Sequence, residues 1–263
     1  MSFPRSIAVS PNGTVYICDT GNSVIRSLVP TFPTISTNGV TNAASFATRI
    51  SPGALASVFG TGFGASTYLA DDGRPWVTTA NSVTVKVNNV AAPLYFISPG
   101  QINFQVPWAT PTGGTVNVSV LVSGGSSNTA SVAVGTAAPG LFYNSTNGAA
   151  IVQNTPDYSL NTAANPAPAG STIIAYLTGS GPVSPPATDG TLTRSDQLTS
   201  ATSVVSAKIG SATATVSFAG LTPGFIGLAQ MNIVVPSTLT PGVYPLTVTI
   251  DGQTSNSATI AVK

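Results

Sequence analysis

Apolar residues recur at every second position over short runs along the chain. Ile102, Phe104 and Val106 fall on one side of such a run, with Gln101, Asn103 and Gln105 on the other. Val116, Val118 and Val120 alternate in the same way with Asn117 and Ser119. A period of two sends successive side chains to opposite faces of an extended backbone, so each run is expected to be a strand with one buried and one wet face. Turn clusters such as Ser123-Gly124-Gly125-Ser126 and Asp251-Gly252-Gln253 separate the runs at the spacing of an antiparallel sandwich. Pro107 and Pro236 are expected to end their strands, and Pro245, inside a run, to mark a sheet edge.

The runs are also duplicated. Residues 53–64 align without gaps on residues 170–181, placing Phe59 on Tyr176 and Gly62 on Gly179. Residues 101–107 match 230–236, and residues 114–134 match 242–262, including Ser127-Asn128 on Ser255-Asn256. Three blocks in one order imply two homologous modules, and the chain of 263 residues is long enough for two cores. The expected fold class is all-β: two tandem immunoglobulin-like antiparallel β-sandwiches at residues 30–137 and 138–263, with a short N-terminal β-hairpin segment at residues 1–29. The stretch 137–142 reads as the linker that closes the first sandwich, and 148–154 as the opening strand of the second.

Within residues 1–29, Ile7-Ala8-Val9, 14–18 and 23–28 read as strands separated by the turns Ser10-Pro11-Asn12-Gly13 and Asp19-Thr20-Gly21-Asn22. Gly and Asn tolerate positive φ at low cost, which is why such clusters reverse a chain. A connector rich in Pro and Thr, residues 29–34, follows.

Composition narrows the class further. Charged residues make up only 6% of the chain, its acidic residues are all Asp, and it contains 26 Gly and 21 Pro. Long helices normally wet their outer faces with Glu, Lys, Arg and Gln, whereas Thr, Ser and Asn suit strands and turns. A hydrophobic share of 42% in alternating runs argues against disorder. The net charge of +1, with no basic run and no aromatic residues interleaved with Lys or Arg, offers no footprint for nucleic acid. No apolar stretch approaches the roughly 20 residues that span a bilayer. Residues 1–6 lack the apolar core of a secretion signal, so the chain is either not exported by that route or a piece of a longer exported protein. The charge-poor surface favours the second, and with it an extracellular or cell-surface location.

Candidate chemistry is sparse. The chain has no His and a single cysteine, Cys18, expected to be a small core residue. Ser-His and Cys-His nucleophile pairs, zinc centres and iron-sulfur centres therefore have no ligand or base set within one chain. Asp19, Asp189 and Asp251 precede or neighbour glycines in turn-like contexts and read as turn formers rather than a carboxylate pair for hydrolysis. Asp71-Asp72 offers two carboxylates where Ca²⁺ takes six to eight oxygens, and reads as a solvated loop. Gly60-x-Gly62-x-Gly64 lacks the helix and Lys-Ser/Thr of a phosphate loop, and its echo at Gly179 and Gly181 marks a strand-ending bend. No catalytic, cofactor or metal residues are expected, and the chain is read as not an enzyme.

One polar pattern stands out. Gln101 and Asn103, and their counterparts Gln230 and Asn232, put an amide pair on one strand face of each module. Amides beside aromatic rings such as Tyr95, Trp76 or Trp108 can line a sugar-binding face by hydrogen bonding and stacking. The plainer alternative is a solvated outer face, or amides that tie down a neighbouring loop.

The run from Ile7 to Arg26 resembles one NHL repeat, the blade of a β-propeller. A single blade cannot bury both faces, so the segment is expected to be a remnant of an upstream propeller or a strand set that docks on its own sandwich or a neighbouring chain. Residues 39–46, 57–64, 92–103 and 138–142, with Asn165-Pro166-Ala167-Pro168, resemble the Solibacter-type C-terminal domain family. Each half is similar to an IPT/TIG-type immunoglobulin-like domain, whose early strand ends in a turn like 60–64. The Solibacter-type resemblance implies the C-terminal part of a large secreted protein. Neither supplies catalytic residues.

The expected role is a non-catalytic structural or adhesive module of the cell exterior. Its expected partners are copies of itself or other surface proteins, with filament formation by strand pairing through the N-terminal segment as one version. The alternative is a carbohydrate-binding accessory module with a polysaccharide partner.

Overall fold

The alternating runs fold as strands in a computed structural model that describes residues 1–11, 13–29, 32–71 and 73–263. Asn12 of the first turn, Pro30 and Thr31 of the connector and Asp72 of the acidic loop lie outside the described residues. Among the described residues the one helical element is a 3-10 turn, Thr20–Asn22. No helix is long and apolar enough to cross a membrane.

The first sandwich has one layer ordered Thr34–Asn42, Leu55–Thr61, Gln101–Gln105, Leu94–Ile97, Tyr68–Leu69. The facing layer is ordered Arg49–Ile50, Ala130–Val134, Gly114–Val122, Thr84–Val87, Val90–Ala91. Arg49–Ile50 pairs parallel with Ala133 and Val134, while its neighbours pair antiparallel. Ile102, Phe104 and Val58 meet Val85, Val118 and Val120 between the layers, with Phe63 at the end of the core. Burial of a large apolar side chain contributes about 1.5–3 kcal/mol, and the period of two delivers such residues only to the inward face.

The second sandwich repeats the plan. Gly140–Leu141 and Val152–Asn154 pair with Thr172–Thr178, followed by Ala229–Val234 and then Ala212–Leu221. Its other layer joins Ala258–Val262, Gly242–Ile250 and Val205–Ile209. Ile173, Met231 and Ile233 pack there against Ile209, Val248 and Ile260. Gln101 opposes Phe59 in the first half, and Gln230 opposes Tyr176 in the second, so the aligned residues occupy the same ladder position. Gly62 and Gly179 also share a left-handed backbone, φ 73° and 81°, at the bend that ends their strands. A side chain at Gly179 would meet the Ala138 carbonyl at 1.9 Å, so the bend needs glycine for room as well as φ.

Four local expectations change. The stretch 137–142 is not only a linker, because Gly140 and Leu141 pair with Thr178 and Leu177 as the first strand of the second sandwich. Pro245 lies in an internal strand whose residues Gly242–Leu246 pair with Ala258–Val262 and whose residues Leu246–Ile250 pair with Val205–Ile209, with Thr259 opposite the proline. The strand on its other side ends at Ile209, so the missing N–H faces a turn, where the Gly210 N–H donates to the Pro245 carbonyl. Asp19 is no exposed turn former: its carboxylate is fully enclosed and accepts from Arg26 Nε, Asn22 Nδ2 and the Ser2 N–H. Cys18 is half-buried on the N-terminal sheet rather than inside a core.

The halves differ at one crossover. Ala212–Leu221 is continuous through both layers, its start pairing with Val205–Ile209 and its remainder with Ala229–Val234. The equivalent path in the first half is split into Val90–Ala91 and Leu94–Ile97, with Pro93 between them, where the ring removes a backbone donor.

The N-terminal segment forms its own three-stranded sheet of Pro4–Val9, Val15–Asp19 and Val24–Leu28. Among the described residues it joins neither sandwich by strand pairing. Ile7, Ile17 and Arg26 oppose one another on one face, with Val9, Val15 and Leu28 beside them. Ile7, Val9 and Leu28 are 68%, 65% and 65% exposed.

Candidate ligand-contact face

Two adjacent strands of the first sandwich build the outer face on which the amide pair lies. Leu55, Ser57 and Phe59 point away from the core, opposite Gln105, Asn103 and Gln101 respectively. Gln101 Nε2 donates to Asn103 Oδ1 at 2.8 Å, and Ser57 Oγ donates to the same oxygen at 3.0 Å. The amides are thus fixed by each other and by a neighbouring hydroxyl. Among the described residues, Gln101 Oε1 and Asn103 Nδ2 have no hydrogen-bond partner. Phe46 stacks obliquely beside Phe59, ring centroids 6.3 Å apart.

At the Leu55 end the face runs into a cleft of about 480 Å³ between the halves. Tyr95 and Trp76 form one wall, centroids 4.9 Å apart and planes 31° from parallel. Phe142 and the turn carrying Phe225 form the other. No charged side chain lines the cleft among the described residues; the exposed pairs Asp71–Arg74 and Arg194–Asp196 lie close in sequence to its lining residues Gly73 and Leu192.

Hydrogen bonds across the halves set the width of this cleft. Thr178 Oγ1 accepts from the Leu55 N–H at 2.7 Å and donates to the Gly227 carbonyl at 3.0 Å. The Trp76 N–H donates to the Gly190 carbonyl at 2.8 Å, and the Gly190 N–H to Gln105 Oε1 at 2.7 Å. Asn42 Nδ2 reaches the Ala138 carbonyl at 2.9 Å. Buried polar groups satisfied in this way fix one arrangement of the parts they join.

The structure separates the sequence-derived candidates. Trp76 and the Gln101/Asn103 pair lie on the first sandwich, with Trp76 in the cleft wall and the amides on the sheet face leading to it. Gln230 and Asn232 make the same internal amide bond, 3.1 Å, on the second sandwich. Their neighbour there is Tyr176, whose hydroxyl donates to Gln153 Oε1 and whose phenol burial raises above its usual pKa. Trp108 faces neither amide pair: it packs on the second core and over Gly53, and its backbone N–H donates to Asp189 Oδ1 at 2.7 Å. Phe225 and Phe142 were not singled out in the sequence. An aromatic at the tip of Thr222-Pro223-Gly224-Phe225, where a turn offers no core to fill, is the signal that points to the first. Among the described residues, no three His, Cys, Asp or Glu side chains gather as metal ligands.

Comparison with known families assigns part of the chain. Residues 40–134 match the IPT/TIG domain and residues 1–26 match the NHL repeat. A search of curated proteins finds no match. Among solved structures, the chain is similar to the protein SGBP-B of a Bacteroides ovatus mixed-linkage glucan utilization locus, solved with a mixed-linkage heptasaccharide. Identity is 12% over 95% of this chain and 52% of that one, with a TM-score of 0.35. A surface glycan-binding protein of Prevotella bryantii gives 13% identity over 88% of this chain and 42% of that one, TM-score 0.28. Domains 4–9 of the surface layer protein SbsC give 14% over 97% and 37%, TM-score 0.24. The chain therefore spans about half the length, or less, of these structures. By its matched segments and its layers, this is an all-β chain whose first sandwich matches the IPT/TIG domain and whose N-terminal end matches an NHL repeat.

Proposed function

We propose that the chain is a non-catalytic structural module of the cell exterior. In this reading residues 30–137 and 138–263 are paired spacer sandwiches, and residues 1–29 associate with a copy of the chain or with another surface protein. The carrying observation is the N-terminal sheet: its Ile7/Val9/Leu28 face is open, and both outer strands lack partners among the described residues. An uncovered apolar face and two free sheet edges favour association by packing and strand addition. A head-to-tail contact that does not close generates a filament. The lack of any His removes the commonest general base and metal ligand. The Solibacter-type C-terminal family often lies downstream of NHL or other repeat domains, and an NHL-like segment followed by paired sandwiches supports membership of it as part of this proposal.

Electron microscopy and sedimentation of the purified chain test this reading. Concentration-dependent assemblies that disperse in Ile7→Arg/Leu28→Arg support it; monodisperse particles at high concentration remove it.

A second reading, a polysaccharide-binding accessory module, is favoured by one observation: Trp76 and Tyr95 stack obliquely on each other in the lining of an open cleft with no charged lining side chain among the described residues.

A further inference from the structure

The cleft between the halves combines three properties in one place. Its walls present flat rings, Trp76 and Tyr95 from the first half against Phe225 from the second. Its lining carries no charged side chain among the described residues. Beside it, on the same sheet face, Gln101 Oε1 and Asn103 Nδ2 offer one acceptor and one donor that nothing in the described protein uses. Asn103 is the diagonal cross-strand neighbour of Leu55, which lines the cleft, a separation of roughly 7–8 Å in a pleated sheet.

We propose that this cleft is a subsite for one pyranose ring of a neutral polysaccharide, with the next ring along lying over Gln101 and Asn103. The inference rests on the polysaccharide-binding reading and locates its site. A pyranose has an apolar C–H face that packs on an aromatic plane and a rim of hydroxyls that both donate and accept. The cleft supplies the planes, and the amides supply one partner of each hydrogen-bonding sense. A charged sugar would lose hydration against walls holding no counter-charge. A wholly apolar ligand would leave the amide pair unused. The volume of about 480 Å³ is within the range of small-molecule sites, which are usually formed in advance of binding. Here the Thr178 and Gly190 hydrogen bonds provide that rigidity, holding Leu55 and Trp76 to the second half. Because the site takes walls from both halves, it exists only while they stay docked.

The chain has two tryptophans, so Trp108→Phe leaves Trp76 as the sole indole reporter. In that background, cellohexaose, xylohexaose, mannohexaose, laminarihexaose and maltohexaose are titrated by fluorescence and by calorimetry. At least one is expected to give a saturable change in Trp76 emission, with binding roughly tenfold weaker in Phe225→Ala. Phe225 is 54% exposed, so this variant is expected to fold, and its melting curve checks that it does. If no hexaose binds, the polysaccharide reading and the cleft fall together. If a hexaose binds without changing Trp76 emission and with unchanged affinity in Phe225→Ala, the reading stands and the cleft is excluded.

Discussion

Asn128 holds Ile35 as a strand partner would: its Oδ1 accepts from the Ile35 N–H at 2.8 Å and its Nδ2 donates to the Ile35 carbonyl at 3.1 Å. Asn256 does the same to Leu141, at 2.8 and 3.1 Å. The serine before each is used alike. Ser127 Oγ accepts from Val120 N and donates to the Asn128 carbonyl, and Ser255 Oγ accepts from Val248 N and donates to the Asn256 carbonyl. Each amide therefore links the opening strand of one layer to the last strand of the other.

Replacing either asparagine by alanine strips both backbone groups of their partner at a half-buried site. Leaving such groups unpaired costs about 1–3 kcal/mol. Asn128→Ala and Asn256→Ala are each expected to lower stability by about 2 kcal/mol in urea titrations, with faster amide exchange at Ile35 and Leu141 respectively. Unchanged exchange at those amides would show the clamp to be dispensable.

Thr178 joins the halves by accepting from Leu55 N and donating to the Gly227 carbonyl. Thr178→Val keeps the shape and removes both bonds, at an expected cost of about 2 kcal/mol. The loss should fall on inter-half docking, so small-angle scattering should show a more extended particle, while each core keeps its own melting transition.

Asp19 ties the N-terminal sheet together, and its partners Arg26, Asn22 and the Ser2 N–H hold its pKa well below the ordinary carboxylate value of about 3.9. A lowered folded-state pKa gives stabilisation that is complete above the unfolded value and fades as pH falls below it. Methyl and amide NMR signals of residues 1–28 are thus expected to stay dispersed from neutral pH down to about 4 and to lose order at lower pH. Asp19→Asn should weaken the sheet at neutral pH and flatten this acid response, leaving the two sandwiches unchanged.

Trp108 Nε1 is buried without a hydrogen-bond partner among the described residues. Trp108→Phe removes that polar atom while retaining a ring over Gly53, so the smaller ring's packing loss is largely offset. Stability is expected to change by less than about 1 kcal/mol, whereas Gly53→Ala should be far more damaging. Gly53 has φ 72°, and an added Cβ would lie 2.3 Å from the indole.

Strand faces are legible in this sequence because Ile102, Phe104 and Val106 can be buried only together, so the period of two specifies the core directly. The gapless duplication also carries over to matching ladder positions for Phe59 and Tyr176. Long-range side-chain roles are not encoded by spacing. Asp19 looks like any turn aspartate until Arg26 returns to it across a hairpin. Ser127-Asn128 is visible as a repeated pair, yet its targets Ile35 and Leu141 have no mark in the sequence. The cleft escapes sequence reading because Trp76 and Phe225 come from opposite halves and meet only through inter-half docking. The Gly60 bend, by contrast, declares itself through its echo at Gly179.

The parallel pairing of Arg49–Ile50 with Ala133 and Val134 has a mechanical consequence. Arg49–Ile50 follows the opening strand Thr34–Asn42, and Ala130–Val134 is the last strand of the first sandwich, so tension that reaches them through the chain pulls them in opposite senses along their length. Their bonds then resist sliding together instead of parting one after another, a geometry suited to a tether that must withstand drag.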